Sequence, residues 1–276
     1  MASTKIEWTD RTWNPATGCT KISAGCQNCY ASRMAHRLNG RYGYPLAPNE
    51  FKVTLHPGKL WGPPYWRKPS MIFVDSMGDL FHKDVPDDFI LSVFAVMSAS
   101  QQHMFQILTK RAERLLQWFE WAKSKLDRGL VFPASPWPLP NVWLGVSAEN
   151  QECADERIPW LLKTPAVVRF VSVEPMLAAI DLTRIPINNT GISMNVLQRA
   201  SVLAPHVHWV ICGCESGPKA RPTNTAWARD LRDQCSGAGI PFFLKQLVID
   251  GKLEKMPTLD GRQWAEMPQS LWTALP

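Results

Sequence analysis

Three cysteines, Cys19, Cys26 and Cys29, lie within eleven residues near the start of the chain. Thiolates grouped on one short loop are suitable ligands for zinc or for an iron–sulfur cluster. Three thiolates can hold a [4Fe–4S] cluster when a substrate or cofactor completes the coordination of the remaining iron. Gly18 and Gly25 each precede a cysteine, and glycine permits the tight turns that wrapping a cluster requires. The loop therefore predicts a metal centre.

Zinc is the alternative to iron and sulfide at this loop. A structural zinc site needs four protein ligands, and the nearest candidate for the fourth is His36. In a helix starting at Tyr30, His36 would lie about 10 Å along the axis, which makes it an awkward ligand. Isolated cysteines are more often small core residues than ligands. The scattered cysteines are Cys153, Cys212, Cys214 and Cys235, with Cys214 kept as a minor candidate. The pattern favours iron–sulfur and leaves zinc open.

The bulk composition restricts the class of protein. A chain of 276 residues that is 45% hydrophobic can bury a large core in one domain or two. A net charge of +6 permits an anionic partner such as nucleic acid without requiring one. We find no apolar run of about 18 residues and no apolar signal segment, so neither a membrane span nor secretion is expected. The cysteine spacing is unlike a secreted disulfide framework, which indicates a reducing cytoplasm.

Short apolar runs alternate with helical patterns along the chain. The runs are rich in β-branched and aromatic residues, as is typical of buried parallel strands. They cover residues 71–74, 105–108, 142–146, 167–171, 208–212 and 241–244, with a further strand expected within 6–13. Helices are predicted over 86–99, 112–125 and 227–238. This alternation predicts an α/β fold, a partial or full β/α (TIM-like) barrel with parallel strands, and a doubly wound open sheet is the alternative.

We expect a single domain across residues 1–276. A segment rich in Pro, Gly and Trp at about 39–68 predicts an ordered loop excursion, and weak periodicity at about 185–205 predicts an insertion. In a β/α barrel the chemistry lies at the carboxyl ends of the strands, and the cysteine loop would lie on the same rim. The polar residues that follow the predicted strands are Asp75, Ser76, Asp79, Thr109, Lys110, Ser147, Glu149, Glu174, Glu215 and Lys245.

The cysteine loop resembles that of radical S-adenosylmethionine enzymes. The similarity is carried by Asn14-Pro15, Gly18-Cys19, Gly25-Cys26 and Cys29-Tyr30-Ala31, and it is closest to the spore photoproduct lyase-like branch. The chain departs from that branch because six residues, rather than three, separate Cys19 from Cys26. The segment 75–79 and the run 108–110 also resemble segments that follow the second and third strands in that branch.

Nearly the whole chain also resembles a family of phage and bacterial proteins that carry this three-Cys motif and whose substrate is not established. The shared motifs are Trp-Asn-Pro at 13–15, Leu-Thr-Lys-Arg at 108–111, Ser-Val-Glu-Pro at 172–175, Glu-Ser-Gly with a following Ala-Arg-Pro at 215–222, and Phe-Phe-x-Lys-Gln at 242–246.

The resemblance implies a [4Fe–4S] cluster on Cys19, Cys26 and Cys29 that binds S-adenosylmethionine. Reductive cleavage would give a 5′-deoxyadenosyl radical that abstracts hydrogen from a substrate. The candidates for cofactor contacts are Tyr30, Ser76, Asp79, Lys110, Ser147, Glu149 and Glu174. Lys110, Arg111 and Arg221 are also candidates for meeting an anionic substrate.

The expected partners are an external electron donor, a nucleic acid or nucleotide as substrate, and a separately encoded partner protein, with no membrane. No catalytic residue is assigned. The alternative function is a zinc-stabilised nucleic-acid-binding protein without catalysis.

Overall fold

The computed structural model describes residues 4–126, 137–187, 191–199, 201 and 204–268. The chain divides into two compact units. The first comprises Met1–Leu144 with Thr164–Val167, and the second comprises Gly145–Lys163 with Val168–Pro276. The expectation of one domain across the chain stays a prediction. None of the helices in the described ranges is long and apolar enough to cross a membrane.

In its described residues, the first unit has three α-helices and a mostly parallel sheet. Its strands are β1 (Arg11–Trp13), β2 (Ala16–Thr17), β3 (Thr54–Leu55), β4 (Met71–Val74), β5 (Met104–Thr109) and the first half of β6 (Val142–Ser147). Its helices are α1 (Tyr30–Leu38), α2 (Asp87–Ser98) and α3 (Ala112–Leu126). The hydrogen-bonded order of the sheet is β1-β4-β5-β6, and both β1 and β5 run parallel to β4. The carboxyl ends of these strands therefore share one edge.

Helices α2 and α3 hold the aromatic core of the first unit. Trp118 of α3 is fully buried, with its ring centroid 4.4 Å from Phe94 of α2 and 6.0 Å from Phe81. Aromatic side chains bury large apolar areas, and tilted or edge-on rings add to that stabilisation. Asp87 and Asp88 in the first turn of α2 suit the positive end of the helix dipole.

The second unit repeats the same alternation. Its strands are the second half of β6, β7 (Val168–Val173), β8 (Ile185–Pro186), β9 (Ser193–Met194), β10 (Trp209–Gly213), β11 (Phe242–Ile249), β12 (Lys252–Lys255), β13 (Thr258–Leu259) and β14 (Arg262–Gln263). Its helices are α4 (Gln151–Lys163) and α5 (Thr225–Ala238). The order of the sheet is β6-β7-β10-β11-β12. Strands β7, β10 and β11 are parallel, and β12 returns antiparallel to β11.

The predicted α/β class with parallel strands is confirmed. All six apolar runs form strands (β4, β5, β6, β7, β10 and β11), and the three predicted helices correspond to α2, α3 and α5. Helix α4, which contains Pro159, was not predicted. The insertion at about 185–205 contains the antiparallel pair β8 and β9, while its residues 188–190, 200 and 202–203 lie outside the described part of the chain. The excursion at about 39–68 contains β3 and two short 3-10 turns.

Candidate metal centre and strand-end clusters

The turn before Cys19 requires glycine. Gly18 has a φ of +87°, and a Cβ at this position would lie 2.3 Å from the carbonyl oxygen of Lys52. A side chain would therefore collide with backbone in a conformation that L residues rarely adopt. The amide of Gly18 donates to the carbonyl of Met77 at 2.9 Å, and the amide of Cys19 donates to the carbonyl of Phe51 at 3.1 Å. The start of the cysteine loop is thus hydrogen-bonded both to the turn that follows β4 and to the excursion at 39–68.

All three loop cysteines are free thiols of intermediate exposure. Cys26 ends the 3-10 turn Ala24–Cys26, and Cys29 is the N-cap residue of α1. His36, which was predicted to be an exposed or packed helix residue, is exposed on α1 and pairs with Glu50 at 2.9 Å. Within the described ranges, no three His, Cys, Asp or Glu side chains are arranged as a preformed metal-binding group.

Cys19 and Cys26 differ in electrostatic environment. Burial raises the pKa of Cys19 to about 11, the charge of Asp79 adds to that effect, and Arg111 opposes it. Burial also acts to raise the pKa of Cys26, but hydrogen bonds with the backbone of Ile22 and Ser23 and the positive charge of Lys110 outweigh it. The pKa of Cys26 is therefore below its ordinary value. Cys26 is the thiol that more readily becomes a thiolate, which is the form that binds metals.

Arg111 connects the end of β5 to the cysteine loop. Its Nη1 lies 3.3 Å from the Sγ of Cys19 and 2.8 Å from Oδ2 of Asp79. Its Nη2 donates to the backbone carbonyl of Thr20 at 3.0 Å. Asp79 also accepts a hydrogen bond from the hydroxyl of Thr109 at 2.7 Å, so its carboxylate is oriented from two sides. Asp79 therefore positions Arg111 beside Cys19, and a direct role for Asp79 in cofactor binding stays a prediction.

Tyr30 and Ser76 are brought together in the first unit. The hydroxyl of Tyr30 donates to the backbone carbonyl of Ser76, and the hydroxyl of Ser76 donates to Oδ1 of Asn14 at 3.2 Å. Asn14 also accepts from the amide of Met77 at 3.0 Å. This ties the start of α1, directly after Cys29, to the segment that follows β4. Asn14 and Tyr30, one on each side of the cysteine motif, thus contact the same segment.

Asp75 is a buried carboxyl group with an unusual backbone. Its φ is +52°, and its Oδ1 accepts from the amide of Ala16 at 3.0 Å. Its Oδ2 is buried without a hydrogen-bond partner among the described residues. Burial raises the pKa of Asp75 well above its ordinary value. The nearby Tyr44, which no sequence pattern identified, has a pKa raised to about 12 by burial and by the charge of Asp75.

The second unit contains Ser147 and Glu149 at the end of β6. Glu149 is fully buried and forms an ion pair with Arg157 of α4 at 2.9 Å. The same nitrogen of Arg157 donates to the backbone carbonyl of Ser147 at 2.8 Å. Buried charges in proteins are tolerated when paired in this way. Arg157 was not singled out by sequence, because its helix was not predicted.

The other strand-end glutamates of the second unit are paired as well. Glu174 lies 2.5 Å from Nζ of Lys245, and Glu215 accepts from Nε and Nη2 of Arg221 at 3.1 and 2.6 Å. Cys214, the minor ligand candidate, is fully buried, and burial raises its pKa to about 11. It behaves as a core residue. The predicted contacts of Ser147, Glu149 and Glu174 with a cofactor stay predictions.

The donor set of the loop fits an iron–sulfur cluster in its chemistry. Three free thiols of intermediate exposure are accessible to metal, and Lys110 and Arg111 supply positive charge beside two of them. Thiolate sites and local folding are energetically coupled, so donor atoms need not be preformed at ligand distance. The conclusion that these residues suit an iron–sulfur cluster therefore depends on the identity, exposure and electrostatic environment of the thiols.

Fold and site together define an α/β protein with a thiol-rich loop beside the carboxyl edge of parallel strands. The chain belongs to the family described as "Protein of unknown function (DUF5131)", whose model matches residues 3–268. No curated protein and no solved structure matches the chain. The family description assigns no activity.

Proposed function

We propose that the protein is a radical S-adenosylmethionine enzyme that holds a [4Fe–4S] cluster on Cys19, Cys26 and Cys29. The proposed architecture is a partial or full β/α barrel, supported by the parallel strand order and the helices within each unit. The resemblance of the cysteine motif to that enzyme class supports the activity. Seven free thiols support a reducing cytoplasmic compartment.

The observation that carries the proposal is the arrangement of two consecutive cations at the end of β5. Arg111 donates to the sulfur of Cys19, while the charge of Lys110 favours the thiolate of Cys26. Neighbouring cations stabilise thiolates, and hydrogen bonds to ligand sulfur tune an iron–sulfur centre. Sequence alone shows Lys110 and Arg111 only as strand-end charges; their action on two different cysteines depends on the fold.

When bound, the cluster with S-adenosylmethionine would supply one-electron cleavage of the cofactor and a radical that removes hydrogen from substrate. The protein groups have more limited roles. Asp79 holds Arg111 in place, and Arg111 orients the sulfur of Cys19. Tyr30 holds the segment containing Ser76 against the start of α1, which limits the movement of the loop.

The polar contacts to the cofactor remain part of the proposal. The candidates in the first unit are Asp79, Lys110 and the hydroxyls of Tyr30 and Ser76. Ser147, Glu149 and Glu174 are the candidates in the second unit. An external electron donor is required by the proposed chemistry, and a separately encoded partner protein is a further candidate.

The test is anaerobic reconstitution of the wild type and of Cys26→Ala with iron and sulfide. We expect the wild type to bind about four irons and about four sulfides per chain and to be brown, with absorption near about 400 nm. Cys26→Ala should lose most of both and should not cleave S-adenosylmethionine after reduction. Cys153→Ala, which removes a buried thiol of α4, is the matched control and should bind the cluster like the wild type.

A colourless wild type after reconstitution would overturn the proposal. About one zinc per chain, without sulfide, would instead support the zinc-stabilised nucleic-acid-binding alternative. Retention of the full iron and sulfide content by Cys26→Ala would contradict the assignment of this ligand.

A further inference from the structure

The net positive charge of the chain is concentrated in one segment. Residues 20–68, here called the basic segment, contain eight Lys or Arg and one acidic residue, Glu50, and thus carry a charge of +7. The rest of the chain contains 22 Lys or Arg and 23 Asp or Glu and carries −1, so that the total is +6. A positive potential focused on one part of a protein attracts anionic partners.

The cations of the basic segment are available to a partner. Seven of the eight are exposed: Lys21, Arg37, Arg41, Lys52, Lys59, Arg67 and Lys68. None of these seven forms an ion pair with a carboxylate in the part of the chain that the structure describes, and Glu50 pairs with His36. Two of them, Lys21 and Lys59, donate hydrogen bonds to backbone carbonyls.

The same segment exposes large aromatic side chains. Among the described residues nine large hydrophobic side chains are exposed, and seven of them lie in the basic segment. The most exposed rings are Tyr65 at 78%, Tyr42 at 76% and Trp61 at 62%. Tyr65 ends one 3-10 turn that begins with two prolines, and Lys59 ends another, so rings and cations stand on short, stiff turns. Preformed turns lower the entropic cost of binding.

The basic segment contains Cys26 and Cys29, and it also contacts the turn before Cys19. The carbonyl of Phe51 accepts from the amide of Cys19 at 3.1 Å, and the backbone of Lys52 packs against Gly18. The carbonyl of Tyr42 accepts from Nζ of Lys59 at 3.2 Å, which joins two of the cation-bearing turns. The part of the basic segment around Phe51 and Lys52 therefore lies beside the turn before Cys19.

We propose that the basic segment binds single-stranded nucleic acid, with bases stacked on Tyr42, Trp61 and Tyr65 and phosphates held by Arg41, Lys59, Arg67 and Lys68. Exposed rings interleaved with cations suit unpaired bases, because each base has a face that can stack and each nucleotide carries a phosphate. A duplex would engage the cations but hide its bases from the rings. The role of this binding rests on the proposed function, since the bound nucleic acid would be the substrate of the radical enzyme.

The test is fluorescence anisotropy with a labelled oligonucleotide of about 15 thymidines, measured on the full chain across a series of salt concentrations. The variants Tyr65→Ala and Trp61→Ala should each weaken binding about tenfold. Replacing Arg41, Lys59, Arg67 and Lys68 together with Gln should reduce the slope of log affinity against log salt by about 3. The matched control replaces four exposed lysines of the second unit, Lys163, Lys219, Lys252 and Lys255, with Gln. At about 0.15 M salt it should change affinity less than about twofold.

An equal loss of affinity in the control variant would overturn the proposal, because it would show attraction by net charge alone. Unchanged binding in both ring variants would overturn stacking. Binding of poly-glutamate with the same dependence on Tyr65 would show an acidic protein as the partner and would also overturn it.

The assay needs neither cluster nor reductant. If the reconstituted protein has its full iron and sulfide content but does not bind the oligonucleotide, only this inference is contradicted. If the protein binds the oligonucleotide but stays colourless after reconstitution, only the proposed function is contradicted.

Discussion

The strand-end residues of the two units are neutralised in different ways. In the second unit, each of Glu149, Glu174 and Glu215 is paired with a cation of the same unit. In the first unit, Arg111 is shared between Asp79 and the sulfur of Cys19, and the thiols are free. At the strand ends of the second unit the charges of these glutamates are neutralised by cations of the same unit. At the strand ends of the first unit, cations lie beside thiols that can become anionic ligands.

The partner of a strand-end side chain therefore says more about its role than its residue type does. Glu149 is a carboxylate at the end of a strand, as expected for a cofactor contact, yet it is fully buried and occupied by Arg157. Arg111 is one of several strand-end charges in the sequence, yet it contacts a cysteine of the predicted centre. We therefore expect substitutions in the second unit to change stability and substitutions beside the cysteines to change metal binding.

The largest expected effect is on folding of the second unit. Arg157→Met should lower the free energy of unfolding by about 3–5 kcal/mol, because it removes the cation that forms an ion pair with the buried carboxylate of Glu149. Urea denaturation measures this change. Arg262→Met removes one member of an exposed pair with Glu266 and should cost less than about 1 kcal/mol. Similar losses in the two variants would contradict a structural role for the buried pair.

A smaller effect is expected for metal binding in the first unit. Arg111→Met removes the donor to Cys19 and should weaken binding of cobalt(II), used as a probe of the thiolates, by about 10–100-fold. Titration of the thiolate-to-cobalt absorption band measures this affinity. Arg114→Met, which disrupts a pair with Asp87 on α2, is the control and should leave the affinity unchanged. If Arg157→Met weakened cobalt binding as much as Arg111→Met, the distinction between the two edges would fail.

The smallest effect concerns Asp75 and has a defined pH dependence. Its pKa is raised in the folded state, mainly by burial, so folding disfavours the charged form. Above the ordinary pKa of 3.8 the unfolded chain ionises while the folded chain keeps its proton, and wild-type stability falls as pH rises. Asp75→Asn lacks this loss. Its Tm relative to wild type should therefore rise between about pH 4 and about pH 7.

Asp84→Asn is the control with opposite sign. A hydrogen bond from Lys83 lowers the pKa of Asp84, so the carboxylate stabilises the folded state above its ordinary pKa, and that contribution is lost as pH falls through the lowered value. As pH rises from the lowered pKa to about pH 4, the Tm of Asp84→Asn relative to wild type should thus fall, and above about pH 4 it should stay nearly constant. A Tm difference for Asp75→Asn that stays constant with pH would contradict the assigned protonation.

The strands could be predicted from the sequence because strands buried on both faces consist of continuous apolar runs. Residues 142–147 of β6 are buried throughout, and the run appears as continuous apolar sequence. Helix α4 left no such trace, since Pro159 lies inside it and charged residues crowd its first half. The prediction of strand ends as polar sites identified Ser147, Glu149 and Glu174, but it could not show that Glu149 is already paired.

Long-range pairings explain what sequence reasoning missed at the candidate site. Arg111 and Cys19 are 92 positions apart, and their contact depends on the parallel pairing of β1, β4 and β5. Asp adopts the left-handed backbone more often than most residues other than Gly, but no pattern in the sequence marks Asp75 as one that does. The spacing of the cysteines identified the ligand type, whereas the charges that act on each thiol emerge only from the fold.

The two ends of the cysteine loop are anchored separately, and this has an evolutionary consequence. Gly18 and Cys19 are fixed by Met77 and Phe51, while Cys26 closes its own turn by donating from its amide to the carbonyl of Ser23 at 3.0 Å. The chain between Thr20 and Ser23 can therefore change in length without moving either anchor. Insertions and deletions should accumulate here among relatives, and the six-residue gap would be one of several lengths that the same pair of anchors accepts.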